Sequence, residues 1–180
     1  MIYVFLANGF EEVEALTPVD YLRRCELEVC TIGIGGKLVR GSHGITVMAD
    51  GTLENVDREK MEAMILPGGM PGTLNLESCP EVQELLDFCT EKGILIGAIC
   101  AAPSILGHKG LLEGKRAVCF PGFESELKGA EVRAEAVVTD GAVITSKGAG
   151  TANEFAFALA EKLLSKERAD KLAASVQWKK

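Results

Sequence analysis

The run Ile94-Leu95-Ile96-Gly97-Ala98-Ile99 is apolar at every position, on both of the faces between which a strand's side chains alternate. Such a strand must be covered on both sides. Two-sided burial marks the centre of a parallel sheet flanked by helices. The run breaks at Cys100, and Ala101 to about Leu106 then reads as a helix. Other segments fit the same architecture. Ile2 to Ala7 and Met61 to Leu66 are short apolar runs that end at Asn8-Gly9 and Pro67-Gly68-Gly69, as buried strands do.

Helical and extended patterns alternate along the chain. Glu11 to Arg24 has helical spacing, with Glu11, Glu12 and Glu14 in the first turn, where the helix dipole favours negative charge. Pro18 is expected to kink or divide it. Leu27 to Ile34 reads as a strand, Gly35-Gly36 as a turn and Gly41 to Met48 as a strand or hairpin arm. Pro80 opens a helix that Gly93 closes after Lys92. Ala117 to Phe120 is strand-like, and Glu135–Thr139 and Ala142–Thr145 flank Asp140-Gly141 as a hairpin. Gly148-Ala149-Gly150-Thr151 leads into a helix ending near Leu164, and a last helix covers about Glu167 to Val176. This order, without repeats or linkers, predicts one doubly wound α/β domain over residues 1–180, with a mostly parallel sheet and helices on both faces.

Composition narrows the function. A net charge of −7 argues against a general nucleic-acid surface, and the tight cationic clusters, Arg23-Arg24 and Lys179-Lys180, read as solvated charge. No apolar run approaches the ~20 residues of a membrane span, and no leader pattern precedes Ile2, so a cytoplasmic protein is expected. The six cysteines form no Cys-x-x-Cys pair and are expected to be reduced. With His43 and His108 as the sole histidines, neither a metal site nor a cofactor motif is signalled.

Three segments that leave strand ends carry chemistry, and ligands of open α/β sheets bind at those ends. In Gly97-Ala98-Ile99-Cys100-Ala101-Ala102, small residues surround a cysteine between strand and helix, the layout of a nucleophile elbow. A helix N-terminus there is expected to lower the thiol pKa. The N–H groups of Gly68 or Gly69, with that of Ala101, offer an oxyanion hole. The P-loop ending Gly-Lys-Ser/Thr is absent, which disfavours a phosphate-binding loop. One of Glu11, Glu12 and Glu14 is placed to point over the sheet towards the thiol. His108 falls beyond the helix that follows Cys100, so a carboxylic acid rather than a histidine is the expected proton carrier.

Taken together and in order, Gly9-Phe10-Glu11-Glu12-Val13-Glu14, Pro18-Val19-Asp20, Leu66-Pro67-Gly68-Gly69, Ala98-Ile99-Cys100-Ala101-Ala102-Pro103 and Gly148-Ala149-Gly150-Thr151 resemble the ThiJ/PfpI superfamily from Met1 to about Ser165. Within it they resemble the branch of the human parkinsonism-associated deglycase and bacterial YajL. The resemblance implies a flavodoxin-like sandwich that forms a homodimer and needs no cofactor. It implies Cys100 as nucleophile, a protonated Glu14 hydrogen-bonded to it, and an oxyanion site at Gly69 and Ala101. It also implies a substrate pocket at Gly68, Arg24, His43 and Phe120. His43 stands where other members often carry Arg, Phe120 where some carry His, and Ala149 where Pro is frequent. Peptidases of the superfamily have His directly after the cysteine, and Ala101 in that place argues against peptidase activity. The implied substrates are reactive 2-oxoaldehydes such as methylglyoxal and glyoxal, or the early glycated adducts these form on proteins. The alternative is a redox-sensing or oxidative-stress chaperone role in which Cys100 is oxidised.

Overall fold

A computed structural model describes residues 1–179. Lys180, half of one cationic cluster, lies outside the described residues. The described chain runs β1 (Ile2–Leu6), α1 (Glu12–Arg24), β2 (Val29–Gly33), β3 (Leu38–Arg40), β4 (Thr46–Met48), β5 (Gly51–Thr52), β6 (Ala63–Leu66), α2 (Gly72–Glu77), α3 (Pro80–Lys92), β7 (Leu95–Ile99), α4 (Pro103–His108), β8 (Arg116–Ala117), β9 (Glu131–Val132), β10 (Val137–Asp140), β11 (Val143–Ser146), α5 (Ala152–Leu163) and α6 (Lys166–Ser175).

The main sheet has the order β10-β11-β7-β6-β1-β2-β5, parallel except for the antiparallel edge pair β10–β11. This is the doubly wound α/β class, and β1, β6 and β7 are buried at every position. The two-residue alternation of the strands divides the core. Ile2, Val4, Leu6 and Ile65 face α1, α5 and α6, whereas Tyr3, Phe5, Met64 and Leu66 face α2, α3 and α4. The chain leaves β1 for β2 on one side and returns to β6 on the other. The carboxyl ends of β1, β6 and β7 therefore lie side by side at the point where winding reverses, and the three segments picked out in the sequence start there.

Two local expectations are revised. Pro18 lies inside an unbroken α1. Its missing N–H releases the carbonyl of Glu14, four residues back, yet α5 packs along α1 and keeps it continuous. Of Ala117 to Phe120, only Ala117 joins a strand. The rest joins no strand and is tied by single bonds: Val118 N–H donates to Thr145 Oγ1 at 2.9 Å and Phe120 N–H to Cys100 C=O at 2.8 Å. The Asp140-Gly141 hairpin, the left-handed Gly93 that ends α3, and the last two helices match the sequence reading. No helix among the described residues is long and apolar enough to cross a membrane.

His108, at the end of α4, bridges Glu77 at the end of α2 and Glu126 in the turn after Phe120, with Nε2 2.8 Å from Glu126. These carboxylates raise its pKa above the ordinary 6.5. A raised histidine contributes stability that is complete below its unfolded pKa and is lost as pH rises through the folded one. Replacing His108 with Gln should therefore lower Tm relative to the parent more at pH 6 than at pH 9, a difference that thermal unfolding at the two pH values measures.

Candidate active site

β7 delivers Cys100 into a left-handed backbone conformation, φ +67°. That costs a non-glycine residue about 1–3 kcal/mol and must be held by its surroundings. The hold is visible: Cys100 N–H donates to Ser146 C=O at 2.9 Å, and its own C=O accepts from Phe120. The turn aims the side chain up from the sheet edge, and the thiol remains partly exposed.

Glu14 enters from the first turn of α1 and is 1% exposed. It is hydrogen-bonded to Cys100, and its carboxyl also accepts from Gly68 N–H (2.9 Å to Oε2) and from the N–H of Ala149. Gly68 must be glycine, since a Cβ there would lie 2.6 Å from Cys100 Cβ and 2.7 Å from Glu14 Oε2. Gly69 has φ +89° and leaves no room for a Cβ beside the backbone of Glu11. Its N–H, with that of Ala101, points at the Cys100 sulfur.

Burial penalises both anions of this pair. It raises the Glu14 carboxyl from 4.5 to about 7, against the lowering effect of its bonds to Cys100, Gly68 and Ala149. The thiol is pushed up to about 12, by burial first and then by the charge of Glu14 and the bond to it. Burial thus works against the expected acidification of the thiol by a helix N-terminus. Helix α4 begins three residues later, at Pro103, and only the N–H groups of Ala101 and Gly69 work against burial. When Glu14 carries the proton, its charge disappears and the shared hydrogen bond donates to sulfur. Thiolate character then comes from proton transfer within the pair, not from the helix.

The remaining candidates are distributed as follows. Phe120 is 47% exposed and its ring lies over Gly148, which also borders Glu14 Oε1, so it walls the entrance. Gly68 spends its N–H on Glu14, so it holds the acid and has no free donor for a substrate. His43 is exposed on the loop between β3 and β4. Its Nδ1 lies 3.1 Å from Glu12 and 3.2 Å from Glu11, and it reaches the centre only through them. Those three side chains are grouped closely enough to ligate a metal, but Glu12 already accepts from the N–H groups of His43 and Ile45. Arg24 pairs with Asp20 at the opposite end of α1, about 15 Å along the helix from Glu14 in the same chain. A role for Arg24 within its own chain's pocket is thereby corrected. Sequence reasoning gave Ser146 and Ala149 no role; the Gly148-Ala149-Gly150-Thr151 motif was the available signal.

The profile of the DJ-1/PfpI family matches residues 1–162. The chain belongs to that family. It is 38% identical to Protein dj-1beta of Drosophila melanogaster over 173 residues, covering 94% of this chain and 92% of that one. It is 35% identical over 164 residues to Glutathione-independent glyoxalase DJR-1.2 of Caenorhabditis elegans, covering 90% and 87%. The solved structure of oxidized Toxoplasma gondii DJ-1 superposes with a TM-score of 0.95 at 34% identity, covering 99% and 98%.

Between about pH 4.5 and about 7 the folded DJ-1/PfpI chain holds a Glu14 proton that the unfolded chain has lost, so this group makes stability fall as pH rises. The loss is on the order of 3 kcal/mol. The Glu14→Gln variant should flatten that slope and be more stable than the parent at pH 8. Urea unfolding of both proteins at pH 5 and pH 8 measures this.

Proposed function

We propose that this DJ-1/PfpI chain is a cofactor-independent cysteine enzyme that converts small 2-oxoaldehydes, methylglyoxal or glyoxal, into 2-hydroxy acids without glutathione. The observation that carries this is a buried carboxyl with a raised pKa hydrogen-bonded to a partly exposed thiol. The name of the Caenorhabditis elegans relative supports the reaction class.

In this reading Cys100 sulfur adds to the aldehyde carbon, and Glu14 protonates the resulting oxygen to complete a hemithioacetal. The Glu14 carboxylate then removes the hydrogen from that carbon and returns it to the neighbouring carbonyl carbon, while the hydroxyl proton moves between the two oxygens. The product is a 2-hydroxy thioester on Cys100. Water hydrolyses it, releasing the hydroxy acid and restoring the thiol, so methylglyoxal plus water gives lactic acid with no oxidant. The N–H groups of Gly69 and Ala101, which face the sulfur, stabilise the oxygen anions formed beside it. Phe120 shields the entrance, and Ala101 stands after the cysteine where the superfamily's peptidases carry His, which argues against peptide hydrolysis. The same addition and proton transfers would act on early aldehyde adducts of protein side chains, making the activity a deglycase.

A homodimer is part of this proposal. Val13 and Leu16 on α1, with Leu38, Ile45 and Met48 on and beside the β3–β4 hairpin, are exposed apolar residues of a kind that a second copy would cover. The six free cysteines suit a reducing compartment, the cytoplasm. A second reading, oxidation of Cys100 as a sensor, draws on the same two N–H groups, which would hold an oxygen added to sulfur, and on the oxidized state named for the Toxoplasma gondii protein.

Lactate formation from methylglyoxal by the pure protein tests the proposal. The Cys100→Ser variant should lose activity to background, and Glu14→Gln should lose about 10²–10⁴-fold in kcat. Wild-type turnover by Cys100→Ser would refute the mechanism. Selective Cys100 oxidation by mild peroxide, seen by mass spectrometry without measurable turnover, would favour the sensor.

A further inference from the structure

Ala149 and Gly150 are exposed on the loop between β11 and α5, yet the Ala149 N–H supports a carboxyl that is 1% exposed. Gly148, just before it, borders the same carboxyl: a Cβ there would lie 3.7 Å from Glu14 Oε1. Ala149 stands between two glycines, so its neighbours bring no side chain to hold it in place. The hold comes from Thr151.

Thr151 occupies the N-cap of α5, where threonine ordinarily accepts from the first N–H groups of the helix. Here its side chain makes no such bond. The hydroxyl is turned back on the loop instead. Oγ1 accepts from Gly148 N–H at 3.1 Å and lies 2.9 Å from Gly148 C=O, which also accepts from Thr151 N–H at 2.8 Å. Oγ1 is 2.7 Å from Ser146 Oγ. One placement of hydrogens serves the series: Gly148 N–H to Thr151 Oγ1, Thr151 O–H to Ser146 Oγ, and Ser146 O–H to Ala136 C=O at 3.0 Å. Ser146 is the buried last residue of β11, and its C=O accepts from Cys100 N–H at 2.9 Å. The nucleophile and the loop that supports the acid are therefore both tied to one residue of the sheet.

We propose that Thr151 is a positioning residue for the Cys100–Glu14 pair. Its hydroxyl fixes the Gly148-Ala149-Gly150 loop so that the Ala149 N–H meets the Glu14 carboxyl, and it links that loop through Ser146 to the strand end that holds Cys100. The hydroxyl bonds to neither partner itself. This role rests on the pair described above and not on the reaction proposed for it.

A donor to Glu14 favours the carboxylate, so a loosened loop favours the protonated acid. Thr151→Val and Thr151→Ala both remove the hydroxyl, the first keeping the branched shape. In each, the Glu14 titration midpoint, read from the carbon-13 shift of its carboxyl, should rise about half to one pH unit above the parent's. Thr151→Ser keeps the hydroxyl and should titrate as the parent does. Cys89→Ala, a truncation in the core on α3, costs stability without reaching the loop and should leave the midpoint in place. In methylglyoxal turnover, Thr151→Val should lower kcat about two- to tenfold with KM unchanged. The titration compares variant with parent, so it decides the point even for a protein that turns over no aldehyde. An unmoved midpoint in folded Thr151→Val or Thr151→Ala, with folding checked by circular dichroism, would overturn the proposal. So would an equal shift in Thr151→Ser or in Cys89→Ala.

Discussion

A carboxyl and a thiol buried against each other, with Gly68 as the spacer, are the constraint around which the rest of the site is arranged. A methyl group on Gly68 would occupy space that Cys100 Cβ and Glu14 Oε2 already fill. The strained φ of Cys100 is tolerated because β11 and the Phe120 segment fix its backbone on both sides. Four N–H groups divide between the partners, Gly68 and Ala149 on Glu14, Gly69 and Ala101 on the sulfur. Each anion thus has two backbone donors, and burial discourages both anions at once. The pair retains a proton that either partner can hold, a suitable condition for the proposed reaction, which moves hydrogens between adjacent carbons.

Sheet topology explains why residues so distant in sequence meet. Glu14, Gly68 and Cys100 follow β1, β6 and β7, which are neighbours in the sheet, and the winding reverses between β1 and β6. The crevice is a product of strand order, in which the fully apolar β7 lies inside the sheet beside the middle strand β6. The His108 bridge joins the ends of α2 and α4 to the turn after Phe120, so the segments that follow Gly69, Cys100 and Phe120 are tied together away from the chemistry.

Much of this was legible in the chain itself. Ile94–Ile99 announced a central parallel strand, and the small residues around Cys100 announced a tight elbow. Local sequence left open which of three glutamates faced the thiol, because helix phase relative to the sheet is set by packing. Glu14 shares the inward face of α1 with Pro18, whereas Glu11 and Glu12 turn towards His43. The thiol's surroundings were half legible for a related reason: a helix start can be read from sequence, but burial by the surrounding loops and the charge of Glu14 cannot. The distance of Arg24 was not legible because a family pattern carries none, and ten helical residues separate it from Glu14 in the same chain. Ala149 donates from a loop nearly fifty residues after Cys100, a contact that no local pattern encodes.

The central claim is that Glu14 keeps its proton near neutral pH because it is buried beside the Cys100 sulfur. The carbon-13 chemical shift of the Glu14 carboxyl, followed by NMR from pH 4 to pH 9 in selectively labelled protein, reads this directly. The account predicts a titration midpoint near 7, well above the ordinary 4.5. A midpoint at or below the ordinary value would show that Glu14 is ionised throughout and would contradict the shared-proton description of the site.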